Sequence, residues 1–244
     1  MSNITKMIAE GKGKRIYATD NPDEVVVYYR DKAFAFHGLK RGRIVGKGEI
    51  NNLICEYIFS MLTEKGIPNH FIRRIDDRSS LVRRAEIIPF VVKVRNIVAG
   101  SLAKRIGYPD GAKLKNPVIE YCLKSDELED PLINSTHVTA MSLATIEEVQ
   151  LMKQLSLKVN EILGQCMAEI NIELIDFKLE FGRYKGEIII ADEISPDSCR
   201  FWDEGTHEPL DIDRFRHDMG DVAEAYREVL HRLTGYVLKN SEEE

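Results

Sequence analysis

Residues 172–194 have the sequence IELIDFKLEFGRYKGEIIIADEI, in which alternating polar and bulky apolar residues precede an apolar run. A β-strand is predicted over 172–181, and the alternation over 176–181 gives it a polar face, because successive side chains of a strand point to opposite sides. The run over 187–194 predicts a second strand. The glycine-containing segment 182–186 between them predicts a hairpin loop of five residues. We therefore expect an antiparallel sheet.

Outside this hairpin, apolar periodicity predicts three helices and three further strands. Three- and four-residue spacing of apolar side chains predicts helices at 49–65, 145–170 and 213–233. Thr145 and Glu148 have the pattern of a capping box, and Gly220 weakens the middle of the third helix. Strands are expected at 25–29, 71–75 and 87–96. Because helices and strands do not alternate regularly, we expect an α+β fold with two lobes, residues 1–92 and 93–244.

The composition is that of a globular chain without affinity for polyanions. Of 244 residues, 43% are hydrophobic and 30% charged, and 34 basic against 40 acidic residues give a net charge of −6. Such a chain has no global field that draws it to nucleic acid. Four scattered cysteines without a Cys-x-x-Cys pair favour a reducing compartment, and the sequence has neither an export signal nor an apolar run of 18 residues. We expect a cytoplasmic protein that binds neither nucleic acid nor a membrane.

A basic, glycine-containing turn lies near the start of the chain, in Glu10-Gly-Lys-Gly-Lys-Arg15. Its glycines let a phosphate approach the backbone, and Lys12 and Lys14 supply positive charge. A basic tight turn without a ligand fits the same pattern. Neither this segment nor 42–48 has the spacing and residues of a Walker A motif, so a P-loop is excluded.

Two further segments carry arginines beside turns. Arg95 ends an apolar strand and is followed by the small residues of 99–101, so that it could bind an anion in a bidentate manner. An ordinary surface arginine at a strand end fits equally well. Arg200 follows the turn residues Ser195-Pro-Asp197, which come directly after a charged pair. Loops beside charged clusters commonly contact substrates.

Carboxylates are concentrated in the hairpin. Asp176, Lys178 and Glu180 share the polar face of its first strand, and Asp192-Glu193 ends its second. Carboxylates in this position need solvent, a partner or a cation, and oxygen ligands without neighbouring His or Cys favour Mg²⁺. A solvated polar face is the alternative.

The five-residue loop creates a difficulty for one shared ion. It would place Asp192 opposite Asp176, and Glu180 would lie about 13 Å along the strand. Two ions, a bulge or an irregular first segment would each remove the difficulty, and the sequence does not choose among them.

Taken in order, these segments resemble the phosphoribosylaminoimidazole-succinocarboxamide synthase (SAICAR synthetase) family. The matches span nearly the whole chain, and their joint order is specific although no single motif is. They are Glu10-Gly-Lys-Gly-Lys14, Lys47-Gly48 with Asn51-Asn52, Val94-Arg-Asn96 with Ala99-Gly-Ser-Leu-Ala103, Asp130-Pro131, Asp176-Phe-Lys-Leu-Glu-Phe-Gly182, Asp192-Glu-Ile-Ser-Pro-Asp197, Arg200-Phe-Trp-Asp203 and Asp213-Arg-Phe-Arg216.

The resemblance implies an ATP-dependent ligase of purine biosynthesis. Such an enzyme joins the carboxylate of 5-amino-1-(5-phospho-D-ribosyl)imidazole-4-carboxylate (CAIR) to the amine of L-aspartate, and it yields SAICAR, ADP and phosphate. The implied fold resembles ATP-grasp ligases, with antiparallel sheets and the nucleotide between a nucleotide-binding first lobe and a second lobe that carries the metal and substrate sites. Many enzymes of this size form symmetric dimers, so we expect a homodimer.

The resemblance also implies roles for individual residues. The metal would be Mg²⁺, held by Glu180 and Asp192, and Asp176 and Lys178 would be catalytic. ATP would be bound by Lys12, Gly13, Lys14, Ile16, Val25, Val82, Ile87 and Lys124. CAIR would be bound by Arg95, Ser101, Lys178, Arg200 and Arg216. Two departures stand out, because Gly13 replaces a frequent Ala, and 35–43 is a variable form of a mobile loop to which no site is assigned.

The implied chemistry agrees with the residue types. A carboxylate acylates an amine only after phosphorylation has given it phosphate as a leaving group. Phosphoryl transfer depends mainly on charge neutralisation and alignment, which lysines and a metal-bound carboxylate pair provide. Asp176 is a candidate base for the aspartate ammonium. A small-molecule kinase with the same residues is the alternative, and a non-catalytic nucleotide-sensing module is a third possibility.

Overall fold

The computed structural model describes residues 3–35 and 38–236. Phe36 and His37, within the variable segment 35–43, lie outside the described residues. The strands are β1 (Ile4–Glu10), β2 (Lys14–Thr19), β3 (Glu24–Tyr29), β4 (Lys32–Ala35), β5 (Lys40–Arg43), β6 (Phe71–Arg74), β7 (Ser79–Arg83), β8 (Glu86–Ile97), β9 (Lys113–Leu123), β10 (Leu132–Ile133), β11 (Ile172–Tyr184), β12 (Glu187–Ala191) and β13 (Cys199–Asp203). The helices are α1 (Lys47–Glu64), α2 (Ser101–Ile106), α3 (Ser135–Ala140), α4 (Ile146–Ala168), α5 (Asp213–Arg216) and α6 (Val222–Thr234).

These strands form antiparallel sheets, and the fold is α+β, as predicted. The first sheet has the order β1-β2-β3-β7-β6, and the second has the order β10-β9-β8-β11-β12 with β13 also paired to β11. Strands β4 and β5 form a separate hairpin. Helix α1 lies against the first sheet and α6, whereas α4 lies against β8 and β11. Apolar side chains of both sheets and of α1, α4 and α6 share one core.

The two sheets are joined by hydrogen bonds beside β12. The amide of His70 donates to the carbonyl of Ile190 at 2.8 Å, and the amide of Ile190 donates to the carbonyl of Pro68 at 2.9 Å. The end of β12 is therefore held by the segment that leads into β6. The division of the chain at residues 92 and 93 stays a prediction, and both residues lie within β8.

Two of the three predicted helices are confirmed as single helices. In α4, the amide of Glu148 donates to Thr145 Oγ1 at 3.2 Å and the amide of Thr145 donates to Glu148 Oε2 at 2.9 Å, so the capping box is present. The third prediction is wrong in one respect, because 213–233 contains two helices, α5 and α6. Between these two helices, Gly220 has a φ of 75° and Asp221 a φ of 47°, and a continuous helix does not permit positive φ angles.

The prediction of a five-residue hairpin loop is also wrong. Tyr184 pairs with Glu187, so that Lys185 and Gly186 alone form the turn, both with positive φ as tight hairpin turns require. The consequence is a new register, in which Glu180 lies opposite Ala191, next to Asp192. This register removes the 13 Å separation that the longer loop implied.

Membrane-spanning helices are not part of the described fold: over residues 3–35 and 38–236, each helix is too short or too polar to cross a bilayer.

Candidate functional site

The polar face of β11 forms the centre of the site. Its alternation is as predicted: Asp176, Lys178 and Glu180 are partly exposed, whereas the residues that alternate with them are buried, namely Phe177, Leu179 and Phe181. Strand β8 covers one edge of β11. The other edge is divided, because β13 pairs with residues 172–177 and β12 pairs with residues 180–184. A gap is left in the middle of β11, at Lys178.

The loop that links β12 to β13 enters this gap. The amide of Lys178 donates to the carbonyl of Ser198 at 3.0 Å, which fixes the end of the loop. At its beginning, Asp192 has a φ of 66°, so the chain leaves the strand geometry there. The segment 192–198 thereby places Asp192 close enough to Lys178 and Glu180 for their charges to interact.

Lys178 and the lysines and carboxylates on its Glu180 side form a group that we call the lysine half: Lys12, Lys14, Lys124, Lys178, Glu180, Asp192 and Glu193. The Lys14 ammonium contacts Asp192 and donates to Glu193 Oε1 at 2.9 Å. The Lys124 ammonium donates to Glu180 Oε2 at 2.5 Å, and Lys12 pairs with Asp126. Lys14 and Lys124, two of the predicted nucleotide-binding lysines, thus contact the predicted metal ligands Asp192 and Glu180.

The two predicted metal ligands influence each other's ionisation. Burial raises the pKa of Glu180, and the negative charge of Asp192 raises it further, against the opposing effect of Lys124 and Lys178. Burial would also raise the pKa of Asp192, but Lys14 and Lys178 outweigh it and lower this pKa to about 2. Glu180 and Asp192 interact electrostatically with each other and are each paired with a lysine, so a cation that binds both would have to displace Lys124 and Lys14.

The donor set fits Mg²⁺ bound partly by substrate. Among the described residues, His, Cys, Asp and Glu form no group of three or more suited to a metal ion. Mg²⁺ in phosphate-transferring enzymes is commonly held by only one or two carboxylates, together with substrate phosphates and water. Glu180 and Asp192 meet that requirement.

On the other side of Lys178 lies a group that we call the arginine half: Arg95, Arg200, Arg216, Asp176 and Asp213. Asp176 Oδ2 accepts from Arg95 Nη1 at 2.9 Å and from Arg200 Nη1 at 2.5 Å. Asp213 accepts from Arg200 Nε and from Arg216 Nη1, both at 2.5 Å. Each carboxylate therefore bridges two guanidinium groups.

Helix α2 completes the arginine half. Arg95 Nη2 donates to Ser101 Oγ at 3.1 Å, so the predicted residues Arg95 and Ser101 are in contact. Before Ser101, Gly100 has a φ of 54°, and a Cβ atom there would lie 2.9 Å from Arg200 Nη2. Glycine is thus required both for this backbone conformation and for the close approach of Arg200.

The predicted adenine contacts are only partly brought together. Ile16 and Ala18 are two residues apart in β2 and lie on the same face of the first sheet. Because Ala18 pairs with Val25 and Val25 pairs with Val82, Ile16, Val25 and Val82 share this face. Ile87 belongs to the second sheet, opposite Gly182, and is 43% exposed. Gly13 lies in the turn between β1 and β2, and its carbonyl accepts from the amide of Arg30.

A buried ion pair beneath this turn was not predicted as part of the site. Lys47, the first residue of α1, is 2% exposed and pairs with Asp197. Asp197 Oδ2 also accepts from Asn51 Nδ2 at 2.8 Å, and Asp197 Oδ1 accepts from Tyr226 OH at 2.6 Å. Lys47-Gly48 and Asn51-Asn52 were recognised as motifs, which is the signal that could have found them.

Two further acidic residues support the arginine half. Glu120 on β9 accepts from Arg95 Nε at 2.7 Å and also pairs with Arg105. Asp211 is fully buried, and its two oxygens accept from the amides of Phe201 and Asp213, both at 2.8 Å. Burial and the neighbouring Asp213 raise the pKa of Asp211 to about 7. The motif at 213–216 pointed to this segment, but not to Asp211.

Lysines, arginines and carboxylates along one face of a strand, on an α+β framework, are the residue types that enzymes of phosphoryl or acyl transfer use for small anionic substrates. Comparison with known proteins gives the family. A sequence model of SAICAR synthetase matches residues 7–233. The phosphoribosylaminoimidazole-succinocarboxamide synthase of Persephonella marina is 55% identical over 224 residues, which are 92% of this chain and 94% of that protein. The chain belongs to the SAICAR synthetase family.

Solved structures agree with this assignment. The phosphoribosylaminoimidazole-succinocarboxamide synthase of Ehrlichia chaffeensis superposes with a TM-score of 0.93 and 42% identity, covering 95% of this chain and 99% of that one. A SAICAR synthetase in complex with ADP superposes with a TM-score of 0.92 and 44% identity over the same shares of both chains. The predicted family and fold are confirmed.

Proposed function

We propose that the chain is the ATP-dependent ligase that joins CAIR to L-aspartate and forms SAICAR, ADP and phosphate. The observation that carries this proposal is the juxtaposition of the lysine half and the arginine half along one face of β11. Asp176 and Glu180 are four residues apart on this strand, so their Cα atoms are separated by about 13 Å. This is room for a phosphoryl donor and a carboxylate acceptor to lie side by side, with Lys178 between them.

The lysine half is assigned to the nucleotide. Lys12 and Lys14 would bind its phosphates, with Lys124 and the turn at Gly13, while Ile16, Val25 and Val82 would contact adenine. Ile87, on the other sheet, would close the adenine site from the opposite side. Mg²⁺ would be held by Glu180 and Asp192, and when bound it would neutralise charge on the phosphates.

The arginine half is assigned to CAIR. Its guanidinium groups, on Arg95, Arg200 and Arg216, would bind the carboxylate and the ribose phosphate with Ser101. Because Asp176 receives hydrogen bonds from two guanidinium groups, its first task is to fix their separation. Its role as base for the aspartate ammonium remains a prediction.

The reaction would proceed in two steps. A carboxylate oxygen of CAIR attacks the γ-phosphorus of ATP, the bond to the β-phosphate oxygen breaks and ADP leaves. The aspartate nitrogen, after losing a proton, then attacks the acyl carbon, phosphate leaves with the CAIR oxygen, and the nitrogen gives up a second proton to the departing phosphate. Lys178, whose charge acts on both Glu180 and Asp192, would stabilise the phosphoryl group as it passes from one half to the other.

Oxygen-18 in the CAIR carboxylate tests the proposal. With ATP and aspartate present, we expect one labelled oxygen in the released phosphate and an amide product detected by mass spectrometry. ADP release that does not respond to aspartate, with no amide formed, would exclude the ligase. A stable phosphorylated product without an amine requirement would identify the kinase, and ATP binding without turnover would identify the sensing module.

A matched control separates the site from general damage. Glu86→Gln changes a carboxylate that is 78% exposed, lies at the start of β8 and pairs weakly with Arg183 at 3.7 Å. Its label transfer and rate should equal those of the unmodified chain. The homodimer and the cytoplasmic location remain predictions from the sequence, as does the division of nucleotide and substrate sites between residues 1–92 and 93–244.

A further inference from the structure

Lys14 is held by two consecutive carboxylates. Its ammonium contacts Asp192 and also lies 2.9 Å from Glu193 Oε1. The side chains of Lys14 and Glu193 are only 14% and 10% exposed, so water screens this contact little. Asp192 is one of the two proposed metal ligands, whereas Glu193 has no assigned role. The two carboxylates therefore contact the same lysine, but only Asp192 has a proposed role in metal binding.

Glu193 is itself fixed by the loop that enters the β11 gap. Ser195 Oγ donates to Glu193 Oε2 at 2.8 Å and accepts from the amide of Asp197 at 3.1 Å. Ser198 Oγ donates to the carbonyl of Glu193 at 3.1 Å. One carboxylate oxygen is thus anchored to the loop, and the other is left to face Lys14.

The anchoring continues to the phosphate turn. Asp197 pairs with the buried Lys47, and the Lys47 ammonium lies 3.8 Å from the position that a Cβ atom of Gly13 would occupy. The loop and the start of α1 therefore support the turn that precedes Lys14. Glu193 is thus one of several residues that surround Lys14 and the turn before it.

We propose that Glu193 is a positioning residue that keeps the Lys14 ammonium in the nucleotide cleft while Asp192 binds the metal ion. The inference rests on the proposed function, because it requires Mg²⁺ and nucleotide to meet at Asp192. A cation on Asp192 competes with Lys14 for its charge. With Glu193 present, Lys14 retains a carboxylate partner and stays aligned with the phosphates. Without it, Lys14 stays on Asp192, and metal binding must displace it.

The inference predicts a change in the coupling between metal and nucleotide. Binding of ADP is measured by calorimetry with Mg²⁺ and, separately, with chelator, for the unmodified chain and for Glu193→Gln. We expect the factor by which Mg²⁺ strengthens ADP binding to fall about tenfold, the size of one charge-assisted hydrogen bond. Metal-free ADP affinity should stay within about twofold, and Glu193→Asp should restore part of the coupling.

Other outcomes are distinguishable. If Glu193 only supports the loop, Glu193→Gln lowers ADP affinity equally with and without Mg²⁺, and the inference is overturned. If Asp192→Asn removes the effect of Mg²⁺ while Glu193→Gln retains it, the metal assignment stands and the inference alone fails. If Asp192→Asn retains the effect of Mg²⁺, the metal assignment fails and the inference with it. Asp23→Asn, which removes an exposed partner of Lys185, is the control and should change neither affinity.

Discussion

The lysine half and the arginine half contain similar numbers of charges but are built differently. In the arginine half, Asp176 and Asp213 each bridge two guanidinium groups, so four hydrogen bonds fix three planar cations. In the lysine half, each ammonium is a point charge at the end of a flexible chain, and Lys12 and Lys124 are 43% and 38% exposed. Guanidinium groups recognise anions by shape, whereas ammonium groups readily exchange one anion for another.

This contrast explains how one site would accommodate two kinds of anion. The arginine half is preorganised, and CAIR would bind to cations whose geometry is already set. In the lysine half, burial and, after it, the charge of Asp192 raise the pKa of Glu180. Its resting ion pairs would be replaced by a metal ion and phosphates. Variants in the two halves should therefore affect different steps.

The largest effect is expected from Asp192→Asn in the lysine half. The amide keeps the shape of the side chain but lacks the charge that would hold Mg²⁺ with the phosphates, so turnover should fall about 10²–10³-fold. Steady-state ADP release at saturating CAIR and aspartate measures it. The fold should persist, because Lys14 keeps its contact with Glu193.

Two controls accompany this variant. Thermal unfolding followed by circular dichroism should show a native transition, and Asp203→Asn, outside both halves and paired with Arg232, should retain full turnover. Near-normal turnover of Asp192→Asn would contradict the metal assignment and remove the main distinction between the halves.

Arg200→Lys tests the shape argument in the arginine half. A lysine keeps the charge but cannot bridge Asp176 and Asp213 as a planar fork does, so kcat/KM for CAIR should fall about 10–100-fold. The KM for ATP should change little, because the lysine half is intact. Initial rates with each substrate varied in turn measure both constants. An equal rise in the KM for ATP would show that the halves are not independent.

Local sequence patterns predicted local features and failed where a contact decides the conformation. The capping box at Thr145 and the two faces of β11 depend on neighbours in sequence and are confirmed. The hairpin loop was misread because Gly182 was taken as a turn residue. A Cβ atom there would lie 2.7 Å from Ala85 Cβ, so this glycine serves close packing between strands. The turn itself uses Lys185 and Gly186.

The same limit applies to the site. Asp176, Lys178 and Glu180 are spaced along one strand, so their shared face follows from the sequence alone. Lys47 and Asp197 are 150 residues apart, and only the assembled fold brings this pair together beneath the phosphate turn. Periodicity carries no information about such a contact, and the buried lysine of α1 was accordingly not assigned to the site.

The pH dependence of the free energy of unfolding should report the ionisation of Asp211, the buried carboxylate that supports the arginine half. The pKa of Asp211 is raised to about 7 by burial and by Asp213, so the folded chain binds a proton there that the unfolded chain releases near pH 4. The stability that this proton supports is complete below about pH 4 and is lost as the pH rises through 7. We expect a loss of roughly 1–3 kcal/mol between pH 5 and pH 8 from this group.

Urea unfolding of the unmodified chain and of Asp211→Asn at both pH values measures this effect. The amide is neutral throughout, so the variant should lack this part of the pH dependence. It should also be less stable at both pH values, because its NH₂ group faces one of the two backbone amides that the carboxylate accepts from. An unchanged pH dependence would show that Asp211 is ionised in the folded chain.

The smallest effect is expected from Asp126→Asn, which probes the exchangeable pairs of the lysine half. Asp126, in the loop between β9 and β10, is 71% exposed and pairs with Lys12 in the turn between β1 and β2. Exposed ion pairs contribute little, so their loss leaves stability nearly unchanged. A nucleotide phosphate would replace Asp126 at Lys12, and removing this competitor should strengthen ADP binding by up to about threefold. Calorimetry at low salt measures the gain, which should shrink at high salt as screening increases. Weaker ADP binding in this variant would mean that Asp126 positions Lys12 for the phosphates, in the way that Asp176 would position Arg95 and Arg200. The contrast between a preorganised arginine half and a lysine half with exchangeable ion pairs would then not hold at Lys12.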